Sequence, residues 1–112
     1  ESLYNDEFMS DNYLLYRNEC RRMTRKNIKG LYENWDGYDY YDGLDISSNF
    51  DIDHNDPDYP TIDHKISVYY GFINDIPPEE ISDIDNLCIT KRFINSKKRD
   101  MIEEEFKLIF EN

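Results

Sequence analysis

Three rhythms of apolar and polar residues divide the chain. Over residues 11–31, Tyr13, Tyr16, Cys20, Met23, Ile28 and Leu31 recur at roughly helical spacing, which predicts an amphipathic helix that buries this stripe. Asp11 is the expected N-cap and Gly30 sits where helices commonly stop. Residues 1–10 read as a frayed lead-in. Arg17, Arg21 and Arg25 are spaced by four and share another face of the helix as a basic ridge. From residue 34 to 60 the helical rhythm is lost. Asn34-Trp35-Asp36-Gly37-Tyr38-Asp39-Tyr40-Tyr41-Asp42-Gly43 alternates Asp with Tyr and carries two turn signals. It reads as an ordered, aromatic-rich loop with short extended pieces, pinned by Trp35. The third rhythm is short and β-like. Tyr59-Pro60-Thr61-Ile62-Asp63 predicts a strand with Pro near its start, and Leu87-Cys88-Ile89-Thr90 a second one. Between them, residues 65–84 read as a long loop with a one- or two-turn helix at Pro77-Pro78-Glu79-Glu80-Ile81. A short helix follows over Lys91 to Lys98. Asp100 is placed to cap a final helix through Met101, Ile102, Phe106, Leu108, Ile109 and Phe110.

This succession predicts one small α+β domain over residues 1–112, a length that suits a single domain. A charged fraction of 34% and a mean hydropathy of −0.89 suggest disorder, but 15% aromatic residues argue against it. No apolar run approaches the length of a membrane span, and no secretion signal opens the chain, so the reading places it in the cytoplasm, that of the host if the chain is viral. It opens on Glu1 and not Met, as a trimmed chain or a piece of a longer polypeptide would. Cys20 and Cys88 are widely spaced and belong to no CxxC pair; two reduced thiols are expected, with no disulfide framework and no structural zinc.

A net charge of −12 argues against a nucleic-acid partner until its distribution is read. Eleven of the thirteen basic residues lie in two segments: Arg17, Arg21, Arg22, Arg25, Lys26 and Lys29, then Lys91, Arg92, Lys97, Lys98 and Arg99. Between Glu33 and Asp63 there are ten acids and no Lys or Arg. Such asymmetry predicts a local positive surface on an otherwise repelling body, although two ordinary solvated helix faces would give the same pattern. The acids do not follow the spacing of a calcium-binding EF-hand loop.

Two strands, a connection and a following helix place particular side chains. Asp63 and His64 end the first strand, Asn86 opens the second, and Asn95 lies nine residues on in the short helix. Each alone has a bland reading: a surface His beside Asp, a turn cap, a helix C-terminal Asn. His54, beside Asp53, is a rival, but its Asn55-Asp56-Pro57 flank reads as a turn.

The segments Ile62-Asp63-His64-Lys65-Ile66-Ser67, Asn86 to Asn95 and Ser96-Lys97-Lys98-Arg99 together resemble the HNH endonuclease family, in the variant whose third signature residue is Asn. The resemblance is densest over about forty residues, and the flanks at 34–43 and 69–72 look like small phage or viral members. It implies a ββα-metal core over about 59–99 with flanking N- and C-terminal helices. It implies a hydrolase that cuts or nicks DNA, with His64 as general base, Asn86 orienting His64 through backbone or ring-nitrogen hydrogen bonding, and Asp63 and the Asn95 amide oxygen as ligands of one divalent ion. Mg²⁺ is the expected ion, with Mn²⁺ or another divalent ion as the alternative. Lys98 or Lys97 would touch a phosphate. Arg17, Arg21, Arg22, Arg25, Lys26, Lys91, Arg92 and Arg99 would help hold the DNA backbone. Lys91 and Ile94 stand where many relatives carry a zinc-binding cysteine pair, so packing alone is expected to hold the hairpin. The alternatives are an HNH fold that binds DNA or protein without cutting, and an acidic viral structural or inhibitory protein. The oligomeric state is left open.

Overall fold

In the computed structural model, which describes residues 7–110 and side chains from residue 11, a long helix lies against a two-stranded hairpin and its following helix. The order is α1 (Glu7–Glu33), β1 (Pro60–His64), α2 (Val68–Ile73), α3 (Pro78–Ile81), β2 (Leu87–Lys91), α4 (Arg92–Lys98) and α5 (Glu103–Phe110), with 3-10 turns at Asn49–Asp51 and Ile84–Asn86. The fold is α+β.

α1 is longer than the apolar stripe predicts. It begins before Asp11, which is therefore not its N-cap, and it runs through Gly30 to Glu33. Residues 7–10 belong to it, and residues 1–6 of the expected lead-in lie outside the described residues. Backbone amides 34 and 35 still bond back to the carbonyls of Gly30 and Tyr32, so Gly30 does not terminate the helical hydrogen bonding.

β1 and β2 pair antiparallel, with Pro60 opposite Lys91 and His64 opposite Leu87. Arg92 N–H donates to Tyr59 O, so the ladder runs directly into α4. Successive side chains of β1 point to opposite faces. Asp63 reaches Lys98 of α4, and His64 reaches Thr24 of α1. All five residues of β2 are buried: β1 pairs with it, α4 packs against it, and Asp39 and Tyr40 bond to Thr90, Lys91 and Ile89.

The connection from β1 to β2 is more structured than a loop. Ser67 accepts a hydrogen bond from Tyr70 N–H and caps α2, a helix that the sequence reading lacks. Its Val-Tyr-Tyr-Gly composition favours strand or turn, but Tyr69 buries against the core and Tyr13 and Phe72 stack edge-on. Gly71 permits the close approach. A Cβ there would lie 2.5 Å from Tyr16 Oη and 2.6 Å from Ile81 Cγ1, and the Tyr16 hydroxyl is held by Ile76 O at 2.6 Å. Gly71→Ala is accordingly expected to lower stability by about 1–3 kcal/mol through overpacking. Thermal unfolding checks this, and a melting temperature matching the wild type would refute it.

The loop over residues 34–45 is ordered, as its turn signals suggest. Gly37 and Gly43 adopt positive φ, and Trp35 packs edge-on against Tyr32 and Phe50. Packing alone does not hold it. Asp39, 2% exposed, accepts from Thr90 Oγ1 and from Lys91 N–H. Lys91 Nζ lies 3.5 Å from Asp39 and is bonded to Asp42. A buried ion-pair network ties the acidic loop to β2, and the expectation of packing alone is corrected to this extent. Asp100 does not cap α5, which starts at Glu103. The Ser67 hydroxyl binds Asp100 O, and Glu103 N–H donates to Lys65 O.

Candidate active site

Where β1, α1 and the end of α4 meet, a cleft of about 360 Å³ opens, lined among others by Arg17, Arg21, Asp63, His64, Asn95 and Arg99. Three of the four expected catalytic and metal residues, Asp63, His64 and Asn95, therefore share one cavity. Asn86 is not among its lining residues.

His64 is held from the far side by α1. Its Nε2 lies 3.0 Å from Thr24 Oγ1, and Thr24 is buried. Nδ1 makes no hydrogen bond among the described residues. Burial first, then the positive charges of Lys98 and Arg21, push its pKa down to about 4, so the imidazole is neutral at physiological pH. Neutrality in the folded chain has a thermodynamic consequence. The unfolded imidazole takes up a proton near its ordinary value of 6.5, whereas the folded one resists until about 4. The stability contribution is fully present above pH 6.5 and is lost as pH falls through that window, by up to about 1.4 kcal/mol per pH unit. Asp63 faces the same region, and its own titration acts in the opposite direction. The comparison with His64→Gln isolates the imidazole. Between pH 7 and pH 4.5 the wild type is expected to lose more stability than the variant, and parallel losses would refute the assignment.

Asn95 has its amide orientation fixed by its partners. Nδ2 donates to Thr61 Oγ1 at 3.0 Å and to Ile62 O at 3.1 Å. A carbonyl can only accept, so the nitrogen must face Ile62. The amide oxygen is left without a hydrogen-bond partner among the described residues.

Asp63 is 4% exposed. Its Oδ2 accepts from the Tyr41 hydroxyl at 2.7 Å and from the Cys88 thiol at 3.8 Å, and Oδ1 lies 3.3 Å from Lys98 Nζ. Burial raises its pKa, against the opposing pull of Lys98, Tyr41 and Cys88. The negative charge of Asp63 helps push the Tyr41 and Cys88 pKa values up, after burial, so both neighbours stay protonated and donate.

Asn86 acts at a distance from the ring. Its Oδ1 accepts from Ile66 N–H, its Nδ2 donates to Ile66 O and Ile81 O, and its own carbonyl accepts from Lys65 N–H. It fastens the chain just after His64 to the start of β2, with no hydrogen bond to the imidazole.

The two basic segments divide sharply by burial. Lys98 is fully buried, paired with Asp63 and donating to His64 O at 2.8 Å. Lys91 is 5% exposed and committed to Asp39 and Asp42. Both are counter-ions inside the fold, and the expectation that they contact DNA is overturned. Arg92 bonds to His54 O, and Arg22 pairs with Glu19. Arg17, Arg21 and Arg99 line the cleft, and their guanidinium groups make no ion pair among the described residues. Arg25, Lys26 and Lys97 are exposed outside it. His54, the rival histidine, is exposed beside Asp53 and does not line the cleft.

Two positions escaped sequence reasoning. Thr24 lies 40 residues from His64, and Tyr41 lies 22 residues from Asp63. Thr24 had a faint signal: positions 13, 17, 21 and 24 fall on one side of a helix, which sets it beside the arginine ridge. Tyr41 had none, since nothing distinguishes it from its neighbour Tyr40.

The donors suit a hard divalent cation. Asn95 Oδ1 is unpartnered, and Asp63 Oδ1 spends one lone pair on Lys98 and keeps another. Among the described residues no three His, Cys, Asp or Glu side chains cluster as a metal group, so an ion here would have two protein oxygens and otherwise water and substrate. No described helix is long and apolar enough to cross a membrane. The chain matches no protein-family model, no curated protein and no solved structure.

Proposed function

We propose that this chain is a divalent-metal-dependent endonuclease of the HNH type that cuts or nicks DNA. The observation that carries the reading is a single cleft lined by His64 and Asn95, whose Nδ1 and amide oxygen make no hydrogen bond among the described residues, by Asp63, and by three arginines free of ion pairs among the described residues. This is the set that phosphodiester hydrolysis needs: a proton acceptor for water, oxygen ligands for a hard ion, and positive charge for the phosphate. The bound ion would neutralise the phosphate and assist the leaving oxygen. His64, neutral at physiological pH, accepts the water's proton at Nδ1. Asn95 and Asp63 hold the ion, with Asp63 fixed by Tyr41 and Lys98. Arg17 and Arg21 grip phosphate oxygens, and Asn86 keeps the turn after β1 in place. The resemblance of residues 62–67 and 86–99 to the HNH family supports the same assignment of roles.

The deciding experiment is plasmid nicking with Mg²⁺ or Mn²⁺ against EDTA. The pairing of Asp63 with Lys98 favours a second reading, a module that holds DNA without cutting it, because an internal cation already occupies the carboxylate. DNA retention with no metal-dependent nicking would select that reading. Affinity has its own test. Replacing Arg17 and Arg21 with Gln should flatten the log–log salt dependence of DNA binding by about 1.8, at roughly 0.9 per phosphate contact. The measurement uses Ca²⁺ in place of Mg²⁺ to suppress turnover. An unaltered slope would remove α1 from the DNA interface.

A further inference from the structure

We propose that Arg99 seats a phosphate group in the cleft beside Asn95, and that its turn is held in a strained conformation so that an arginine can stand there. The inference rests on the nuclease reading for taking that phosphate to be one of the DNA backbone; the strain stands without it. Arg99 has φ 52° and ψ −124°. These angles match the first central position of a type II′ turn, where glycine prevails because a Cβ crowds the backbone. Met101 N–H closes the turn by donating to Lys98 O at 3.0 Å. Both flanks are fixed: Lys98 is fully buried and bonded to His64 O, and Asp100 O accepts from the Ser67 hydroxyl at 2.6 Å. The fold imposes the reversal at residue 99, and a residue with a Cβ is strained there. Among the described residues Asp75 also has positive φ, but it stands in an exposed turn, and Asp tolerates this region far better than Arg does.

What the arginine gains from this position is the cleft. Its N–H bonds Asn95 O at 3.1 Å, so residue 99 stands one helical turn beyond Asn95 and lines the same cavity. Of the second basic segment, Arg99 is the residue that does so; Lys91 and Lys98 are internal counter-ions. α1 brings Arg17 and Arg21 to the same cleft. Arg17 Nε is buried and has no hydrogen-bond partner among the described residues, a donor that a phosphate oxygen would satisfy. Two carboxylates also line the cleft, Asp63 and Asp100, but Asp63 is already paired with Lys98. The balance of charge favours an anion, and a guanidinium takes a phosphate through two parallel N–H bonds. Glycine at residue 99 would relax the turn and present no charge.

The test uses Arg99→Gly, which relaxes the turn, and Arg99→Asn, which tolerates positive φ and leaves the backbone less free than glycine does. Arg99→Gly is expected to melt about 2–8 °C above the wild type, net of the freedom that glycine adds to the unfolded chain. Both variants should bind DNA about tenfold more weakly, measured with Ca²⁺ in place of Mg²⁺. Both should also flatten the log–log salt slope by about 0.9, the share of one phosphate contact. A turn that was merely loosened would lose affinity without changing the slope. An unchanged slope in either variant overturns the phosphate contact, and an Arg99→Gly chain that melts no higher than the wild type overturns the strain and with it the inference. If the wild type holds no DNA, the nuclease reading fails and inorganic phosphate decides the site. Sodium phosphate, against sodium chloride at equal ionic strength, should then raise the melting temperature of the wild type more than that of Arg99→Gly. Equal rises overturn the site.

Discussion

Replacing His64 with Ala is expected to reduce metal-dependent plasmid nicking by about 10²–10⁴-fold, the usual cost of losing a general base, with DNA affinity nearly unchanged. The expectation rests on three features of the ring: it is neutral, it has one nitrogen beside Thr24 and the other without a hydrogen bond among the described residues, and it belongs to a residue that lines the cleft. Arg17 and Arg21, which are proposed to grip phosphate, belong to α1 and stay in place, so binding and cleavage should separate. Rates are best compared at saturating DNA with a fixed Mn²⁺ concentration. Wild-type nicking by the variant would remove His64 from the chemistry. The parallel His54→Ala variant should nick normally, because His54 is exposed and lies outside the cleft; loss of activity there would transfer the role to it.

The largest loss of stability is expected from Lys98→Met. Lys98 is fully buried, and its ammonium meets Asp63 Oδ1 at 3.3 Å and His64 O at 2.8 Å. Methionine fills much of the same volume and carries no charge. Asp63 would then be a buried carboxylate facing only the Tyr41 and Cys88 donors, a break that typically costs about 3–5 kcal/mol. That is a large part of the 5–15 kcal/mol that usually holds a domain together. Combining it with Asp63→Asn removes the orphaned charge, so the double variant should recover most of the loss. Urea denaturation of the wild type, both single variants and the double variant closes the cycle. A loss below about 1 kcal/mol for Lys98→Met would mean that the pair is solvated and that Lys98 is no internal counter-ion.

The hairpin was legible because its signals are local. A β-branched run after Pro60 and another at residues 87–90 predicted two strands; the structure shifts the first by one residue, to Pro60–His64, and extends the second by one, to Lys91. The same short span brought Asp63, His64 and Asn95 close enough in sequence to be read together. Three kinds of feature were not legible. α2 is decided by a capping hydroxyl and by burial of Tyr69, which outweigh the strand preference of its residues. Lys91 and Lys98 read as surface charge because lysine is rarely buried; their carboxylate partners sit 49 and 35 residues away. Thr24 and Tyr41 acquire roles only when α1 and the acidic loop close on the two faces of β1.

The strict alternation along β1 has a bearing on how such a chain can change over generations. Asp63 and His64 border the same cleft but are anchored to different elements, Asp63 to Lys98 and Tyr41 and His64 to Thr24 of α1. Inserting or deleting one residue anywhere upstream within residues 60–62 would reverse their parity, sending the imidazole toward Lys98 and the carboxylate toward Thr24. Substitution in the strand is therefore a graded change, whereas a length change is all-or-none. The exposed turn at residues 74–75 is tied to neither face. Length drift in descendants, or a tag added by an experimenter, belongs there.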